Sequence, residues 1–399
     1  MLDPITRQTI KATVPILESN GVDLTSHFYA RMFKHNPELR EVFNQGHQRN
    51  GAQQQALAMA VAAYARHIDD PSVLAPVLER IAHKHVSLGI RAEHYGIVGR
   101  HLLASISEVL GAAATSEVID AWAQAYGQLA DVLIGLESQL YEGASQRAGG
   151  WTGWRTFRVA RKLAESDEIT SFELVPADGG GVPAFRPGQY VSVRLVVTEL
   201  GHRQPRQYSL SDAPGKGHLR ISVKREAGGT QQPQGMVSNQ LHRQLAEGDA
   251  IEVAPPAGDF FLHEDRDTPV VLISAGVGIT PMMSMLEHLH ARNSKRQVRF
   301  FHAARHGRAQ AFAPRVRQLA EALADGHAWI VHEERGDAPH EPDALGRLDL
   351  STQALPANAD HYVCGPQAFM AAQIAALRAL GVPGERIHAE AFGTGGVAV

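Results

Sequence analysis

Glycine and proline are spread so unevenly along this 399-residue chain that one architecture cannot account for all of it. Residues 1–142 carry 9 Gly and 5 Pro, whereas residues 143–399 carry 28 Gly and 16 Pro. Inside a helix, Gly costs about 1 kcal/mol and Pro about 3 kcal/mol relative to Ala. Only the first part is therefore suited to long helices. Ala and Leu recur there at helical spacing, as in Ala56–Ala60–Tyr64 and Tyr126–Ala130–Leu133, and the pattern predicts an all-helical domain. At about 100–200 residues per domain, the length predicts two to four domains.

The Gly-rich segment Gly143 to Gly153 reads as a linker. Alternating runs follow at Thr156–Ala160, Thr170–Val175, Tyr190–Val197, Leu219–Lys224 and Ala250–Val253, separated by turn-type clusters. They predict a small antiparallel barrel. From Pro269 onward, apolar runs at Val270–Ser274, Val298–His302, Trp329–His332 and Tyr362–Cys364 alternate with helical stretches. That is the pattern of an open parallel α/β sheet. The expected fold is multi-domain: helices over 1–142, a linker over 143–152, a β-barrel over 153–265 and an α/β domain over 266–399.

Charge and cysteine content narrow the function. Formal net charge is −4, so no basic surplus points to nucleic acid. One cysteine, Cys364, excludes an intrachain disulfide and any multi-cysteine metal site. The start has no basic segment followed by an apolar one, which argues against a signal peptide. The longest apolar stretch, Pro269 to Leu286, is broken by Gly276, Gly278 and Pro281 and reads as strand, turn and helix rather than a membrane span. A reducing cytoplasm is the expected home.

Within the helical part, Leu78, Ile81, His85 and Leu88 are spaced 3, 4 and 3 residues apart, so His85 lies on an apolar helix face and His83 nearly opposite. A lone histidine on such a face is usually a satisfied core residue. Here Tyr95 follows ten residues later, and Glu137 sits inside the apolar run Val132–Leu136, where a carboxylate needs a partner. A Tyr and a Glu behind an imidazole make it a stronger donor to a metal. Tyr29, Phe43, and the pair Gln53 and Leu57, four apart on one helical face, are by spacing alone core or surface as readily as pocket.

In the barrel region, Arg206-Gln207-Tyr208-Ser209 comes after the strand that contains Tyr190, and Gly235-Met236-Val237-Ser238-Asn239 comes later, before a helix-like stretch Gln240–Leu245. Arg206 offers a fork for a phosphate, Tyr208 a ring for an isoalloxazine, and Ser209 a hydroxyl near its N5. Backbone N–H groups at the helix start suit a pyrophosphate. In the α/β region, Gly276-Val277-Gly278-Ile279-Thr280-Pro281 ends the first strand, with Thr280 expected as helix N-cap and Pro281 as first helical residue. Cys364-Gly365-Pro366 repeats the strand–Gly–Pro–helix design. Both sit at carboxyl ends of parallel strands, where open sheets bind ligands, and suit a nicotinamide dinucleotide. Arg305 and Arg308 follow the strand Val298–His302 and leave NADH and NADPH both open.

The segments at 28–44, 53–61, 84–103 and 121–137 resemble the globin domain of the bacterial flavohaemoglobins. The resemblance implies haem b, with His85 as proximal iron ligand, Tyr95 and Glu137 as its network, and Phe43 on the porphyrin. It further implies Tyr29, Gln53 and Leu57 on the gas-binding side and Lys84 near the haem edge. No Cys-x-x-Cys-His is present, so that haem would be held non-covalently. Pro187–Tyr190, Arg206–Ser209 and Gly235–Asn239 are similar to the FAD domain of the ferredoxin–NADP reductase superfamily, which implies that Tyr190 and Arg206–Ser209 contact FAD. By the same resemblance Cys364 lies beside the nicotinamide, and Glu390-Ala391-Phe392-Gly393 places Phe392 over the flavin. Thr394 stands where that family usually has Pro.

The activity implied is nitric oxide dioxygenation: NAD(P)H reduces FAD, FAD reduces haem, and NO and O2 become nitrate. No obligate protein partner is expected. Two other readings stay open, an oxygen carrier or sensor with its own reductase, and an alkyl or lipid hydroperoxide reductase. The apolar distal side leaves room for a bound phospholipid.

Overall fold

The computed structural model describes residues 2–44, 51–229, 233–336 and 340–393. Thr394 lies outside them. The chain divides into two compact units. The first comprises Met1–Gln146 with Trp151–Trp154 and Arg194–Arg206. The second comprises Arg147–Gly150, Arg155–Val193 and Gln207–Val399.

The first unit is helical up to Gln146: α1 (Pro4–Ala12), α2 (Val14–His35), α3 (Ala52–Arg66), α4 (Ala75–Leu88), α5 (Ala92–Leu110) and α6 (Ser116–Gln146). Asp3 caps α1 by accepting from the N–H groups of Ile5 and Thr6, and Pro4 takes the first turn, where a missing N–H costs nothing. α2 lies against α3 and α5, and α4 against α6. Ile10, Leu24, Phe28, Met32, Ala65 and Ile106 form the deepest part of this core. α4 ends where the Gly89 N–H bonds to the Val86 carbonyl (3.1 Å) and Ile90 N–H to that of His85 (3.0 Å), so the helix stops one turn after His85. Among the described residues, no helix is long and apolar enough to cross a membrane.

Six strands follow: β1 (Arg155–Ala164), β2 (Ile169–Pro176), β3 (Tyr190–Val197), β4 (His202–Ser209), β5 (Leu219–Lys224) and β6 (Ala250–Val253), with α7 (Met236–Gln244) between β5 and β6. Their order in the sheet is β4-β3-β6-β1-β2-β5. An antiparallel bridge from Leu210, just past β4, to Ile221 on β5 joins the two ends and makes the expected barrel. The flavin-type motif Arg206–Ser209 does not merely follow a strand. It is the end of β4, an element the sequence reading left unassigned. α7 also begins earlier than expected: Gly235 is its N-cap and Met236–Asn239 its first turn, so this motif is helix rather than the approach to one.

The remainder is α/β. β7 (Val270–Ala275), β8 (Val298–Ala304), β9 (Gly326–His332), β10 (Ala344–Leu345), β11 (Asp360–Cys364) and β12 (Ile387–Glu390) form one sheet in the order β10-β9-β8-β7-β11-β12. Every pairing is parallel. α8 (Ile279–Ala291), α9 (Ala313–Ala322) and α10 (Gln367–Ala379) provide the crossovers. β7 is buried at all six positions, as a central strand covered on both faces must be. The chain runs outward from β7 in one direction and returns to its other side as β11. The strand order reverses there, at the carboxyl ends of β7 and β11, the place where sheets of this kind bind ligands.

Candidate functional site

His85 on α4, Tyr95 on α5 and Glu137 on α6 meet in the helical unit. The His85 Nδ1 lies 2.7 Å from Glu137 Oε1 and 3.0 Å from the Tyr95 hydroxyl oxygen. Tyr95 donates to the same carboxylate oxygen at 2.5 Å. Glu137 is 3% exposed, so its charge has no water to lean on and must be satisfied by these two donors. That demand places the imidazole proton on Nδ1 and leaves Nε2 with its lone pair. Burial, and then the bond to Glu137, push the Tyr95 phenol far up, so it stays a proton donor. Tyr126, on the face of α6 that carries Glu137, donates to the Tyr95 carbonyl at 2.6 Å and fixes the start of α5. The spacing Tyr126–Ala130–Leu133–Glu137 carries that signal, but its role was not read from the sequence.

Tyr29, Phe33 and Phe43 form an aromatic cluster with ring centroids 5.7–5.9 Å apart. Gln53 and Leu57 lie together on α3, and Leu57 packs on the same core as Tyr29 and Phe43. Gln53 Oε1 is buried with no hydrogen-bond partner among the described residues. A buried amide left unpaired costs about 1–3 kcal/mol, which fits a site shaped for a polar ligand. Burial pulls the Lys84 ammonium down. An imidazole whose Nε2 keeps its lone pair, a carboxylate behind it, an aromatic cluster and an unpaired buried amide oxygen on α3 fit a haem with one open coordination position.

In the barrel, Ser209 Oγ and Ser192 Oγ are buried with no hydrogen-bond partner among the described residues. Tyr190 is 9% exposed and bonds through its N–H to Ala257 (3.0 Å). Arg206 donates to the Pro205 carbonyl at 2.7 Å. Among the described residues no side chain caps α7, whose entry is tied by Asn239 Nδ2 to the Glu226 carbonyl (2.7 Å) and Ser238 Oγ to that of Gly235 (3.1 Å). An uncapped helix start after two unpaired hydroxyls suits a flavin dinucleotide.

In the α/β part, Gly276–Gly278 is a turn of 3-10 helix and α8 starts at Ile279 with Gly278 as N-cap. This corrects the expected capping. Thr280 is already inside α8, its hydroxyl donating to the Val277 carbonyl (3.0 Å), and Pro281 is the third helical residue. The tightness of the preceding turn moves the cap two residues back. A Cβ on Gly278 would stand 2.3 Å from the Cys364 carbonyl oxygen and 2.7 Å from the Gly365 nitrogen. The two strand ends thus touch through backbone. Cys364 pairs with Ser274 on one side and Glu390 on the other. Burial, and then the Glu390 charge, push its thiol well up. Phe392, beyond β12, is 46% exposed. Ser274 Oγ meets His302 Nδ1 at 2.9 Å on β8, a buried polar pair that no motif or spacing singles out.

An all-α unit with a histidine–carboxylate pair, followed by a barrel and a doubly wound sheet with dinucleotide-type turns, defines a haem protein fused to its own flavin reductase. Three family models match in that order: Globin over residues 26–133, Oxidoreductase FAD-binding domain over 157–262 and Oxidoreductase NAD-binding domain over 272–374. The chain belongs to the flavohemoproteins. It is 60% identical over 404 residues to the flavohemoprotein of Chromobacterium violaceum, covering 99% of each chain. The crystal structure of the Malassezia yamatoensis flavohemoglobin with bound FAD and haem is 30% identical, with a TM-score of 0.88 over 98% of this chain and 100% of that one. The FAD/NAD-binding domain of nitric oxide dioxygenase from Vibrio cholerae is 41% identical, with a TM-score of 0.55, and covers 60% of this chain and 98% of that one.

Proposed function

We propose that this protein is a nitric oxide dioxygenase that takes electrons from NADH or NADPH and turns NO and O2 into nitrate, detoxifying NO. When bound, FAD splits the electron pair of the nicotinamide and haem b supplies the iron that brings the two gases together. His85 would hold that iron through Nε2. Glu137 and Tyr95 keep the imidazole proton at Nδ1 and orient the ring. Tyr29 and Gln53 would donate hydrogen bonds on the gas side, while Leu57 and Phe43 exclude water and Lys84 borders the haem edge. Tyr190, Arg206, Gln207, Tyr208 and Ser209 would bind FAD with Gly235, Met236, Val237 and Ser238, and Phe392 would cover it. Gly276–Pro281 and Cys364–Pro366 would receive the dinucleotide. The domain limits 1–142, 153–265 and 266–399 belong to the same reading, as does a cytoplasmic home, where the nicotinamide is supplied.

The observation that carries this reading is the buried Glu137 carboxylate bonded to His85 Nδ1 at 2.7 Å, which makes a strongly donating ligand. Likeness to the Vibrio cholerae protein supports the choice of NO as substrate. The test is turnover by the purified protein loaded with haem and FAD, in air, with NADH and NO. NO disappears as nitrate forms, and His85→Ala abolishes the reaction while FAD stays bound. Oxygen binding without nitrate would instead identify a carrier. The apolar surroundings of Leu57 also suit a lipid chain, which phospholipid analysis of the purified protein checks.

A further inference from the structure

Besides Asp360 on β11, two described carboxylates in the second unit are buried without belonging to any site above. Asp212, three residues past Ser209, has a side chain 6% exposed, and Glu287, on α8, has one 3% exposed. One ammonium lies between them: Lys216 Nζ is 2.6 Å from Asp212 and 3.3 Å from Glu287. Lys216 is presented by a turn between Gly215 (φ 87°) and Gly217 (φ 74°), a left-handed pair that side chains rarely allow. Each carboxylate also has its own cations. Asp212 takes His218 at 3.2 Å and Arg220 at 3.7 Å, and Glu287 takes Arg315 of α9 in a two-pronged contact at 2.8 and 2.7 Å. Burial pushes both carboxyls up, and these partners more than reverse it. Beside them, Ser284 on α8 donates to the Asp212 carbonyl at 2.7 Å, and the Arg220 guanidinium stacks on Phe312, the N-cap of α9, 5.2 Å from the ring centre.

The chain places these contacts between two carriers. Asp212 continues the strand end that carries Tyr208 and Ser209. Ser284 and Glu287 are on the helix that starts at the Gly276–Gly278 turn. Shared charge therefore ties the flavin-side strand end to the nicotinamide-side helix.

We propose that Lys216, bridging Asp212 and Glu287, is a positioning residue for hydride transfer, setting the distance between nicotinamide and flavin without touching either. This rests on the assignment of FAD and NAD(P)H to these two turns. Without the ammonium, the cation shared by both carboxylates is lost; each keeps only the partners on its own side, His218 and Arg220 for Asp212 and Arg315 for Glu287, and nothing charged draws the two sides together at this point. A misplacement of about 1 Å can cost about 100-fold in rate.

The test is stopped-flow reduction of the flavin by NADH without oxygen, in the full-length protein loaded with haem and FAD. Lys216→Met is expected to lower the limiting rate at saturating NADH by about tenfold or more, with the half-saturating NADH concentration within about twofold. The NADH deuterium isotope effect should not fall, and Lys216→Arg should restore the rate. FAD content and carbon monoxide binding by the dithionite-reduced haem should stay unchanged. A wild-type rate in Lys216→Met overturns the proposal, as does a slow rate explained by lost FAD or by weaker NADH binding alone. A wild-type protein whose flavin NADH does not reduce would sink the assignment of the two turns instead, so the two failures are distinguishable.

Discussion

At the scale of single residues, Glu137 is the group whose chemistry is most exposed to test. Glu137→Gln keeps the shape and removes the charge, so the His85 ring loses a charge-assisted acceptor for its Nδ1 proton. Loss of such a partner at a metal site typically costs about 10- to 100-fold in affinity or activity. The variant should retain haem, turn over NO more slowly by that order, and show a lower iron–histidine stretching frequency by resonance Raman. An unchanged frequency would falsify the assigned network. His85 and Glu137 were legible in the sequence for a physical reason. A helix repeats its faces at fixed spacing, and a carboxylate in an apolar run must find a partner. Lys216 was not legible, because its meeting with Glu287 joins residues 71 apart through a tertiary fold.

At the scale of elements, reading by hydrophobic alternation found the strands that alternate and passed over β4, which does not. β4 reads His-Arg-Gln-Pro-Arg-Gln-Tyr-Ser and has no apolar alternation, although Gln204, Pro205 and Ser209 are buried, and a polar strand of this kind gives no period-two signal. β10 and β12 were passed over as well: they are short and lie at the sheet edges, where burial is partial. The β7–α8 turn gives an element-scale prediction. Gly278→Ala places a methyl carbon against the Cys364–Gly365 backbone, and backbone cannot swing aside as a side chain tip can. The turn must shift, so NADH-driven flavin reduction should fall by at least about tenfold. Flavin content and reduction by dithionite should stay intact. Normal NADH kinetics in this variant would remove the turn from the nucleotide site.

At the scale of the whole molecule, acid stability follows from buried imidazoles. Burial holds His302 down to about 3 and His361 down to about 4, from an ordinary value of 6.5. Below pH 6.5 the unfolded chain takes up protons that the folded chain refuses. Stability is therefore fully present above that pH and is lost as pH falls toward about 4 and about 3. Each such ring contributes a slope of roughly 1.4 kcal/mol per pH unit inside its window. Urea unfolding at several pH values should show this decline, and His302→Asn should flatten it; an identical slope would discount the ring. A last consequence comes from Cys364, the only cysteine in the chain. Its thiol is buried and held protonated, and nitrosation and oxidation proceed through the exposed thiolate. A maleimide should label the native protein only after unfolding. For a protein proposed to work in a stream of NO, this means that its substrate finds no open thiol to poison.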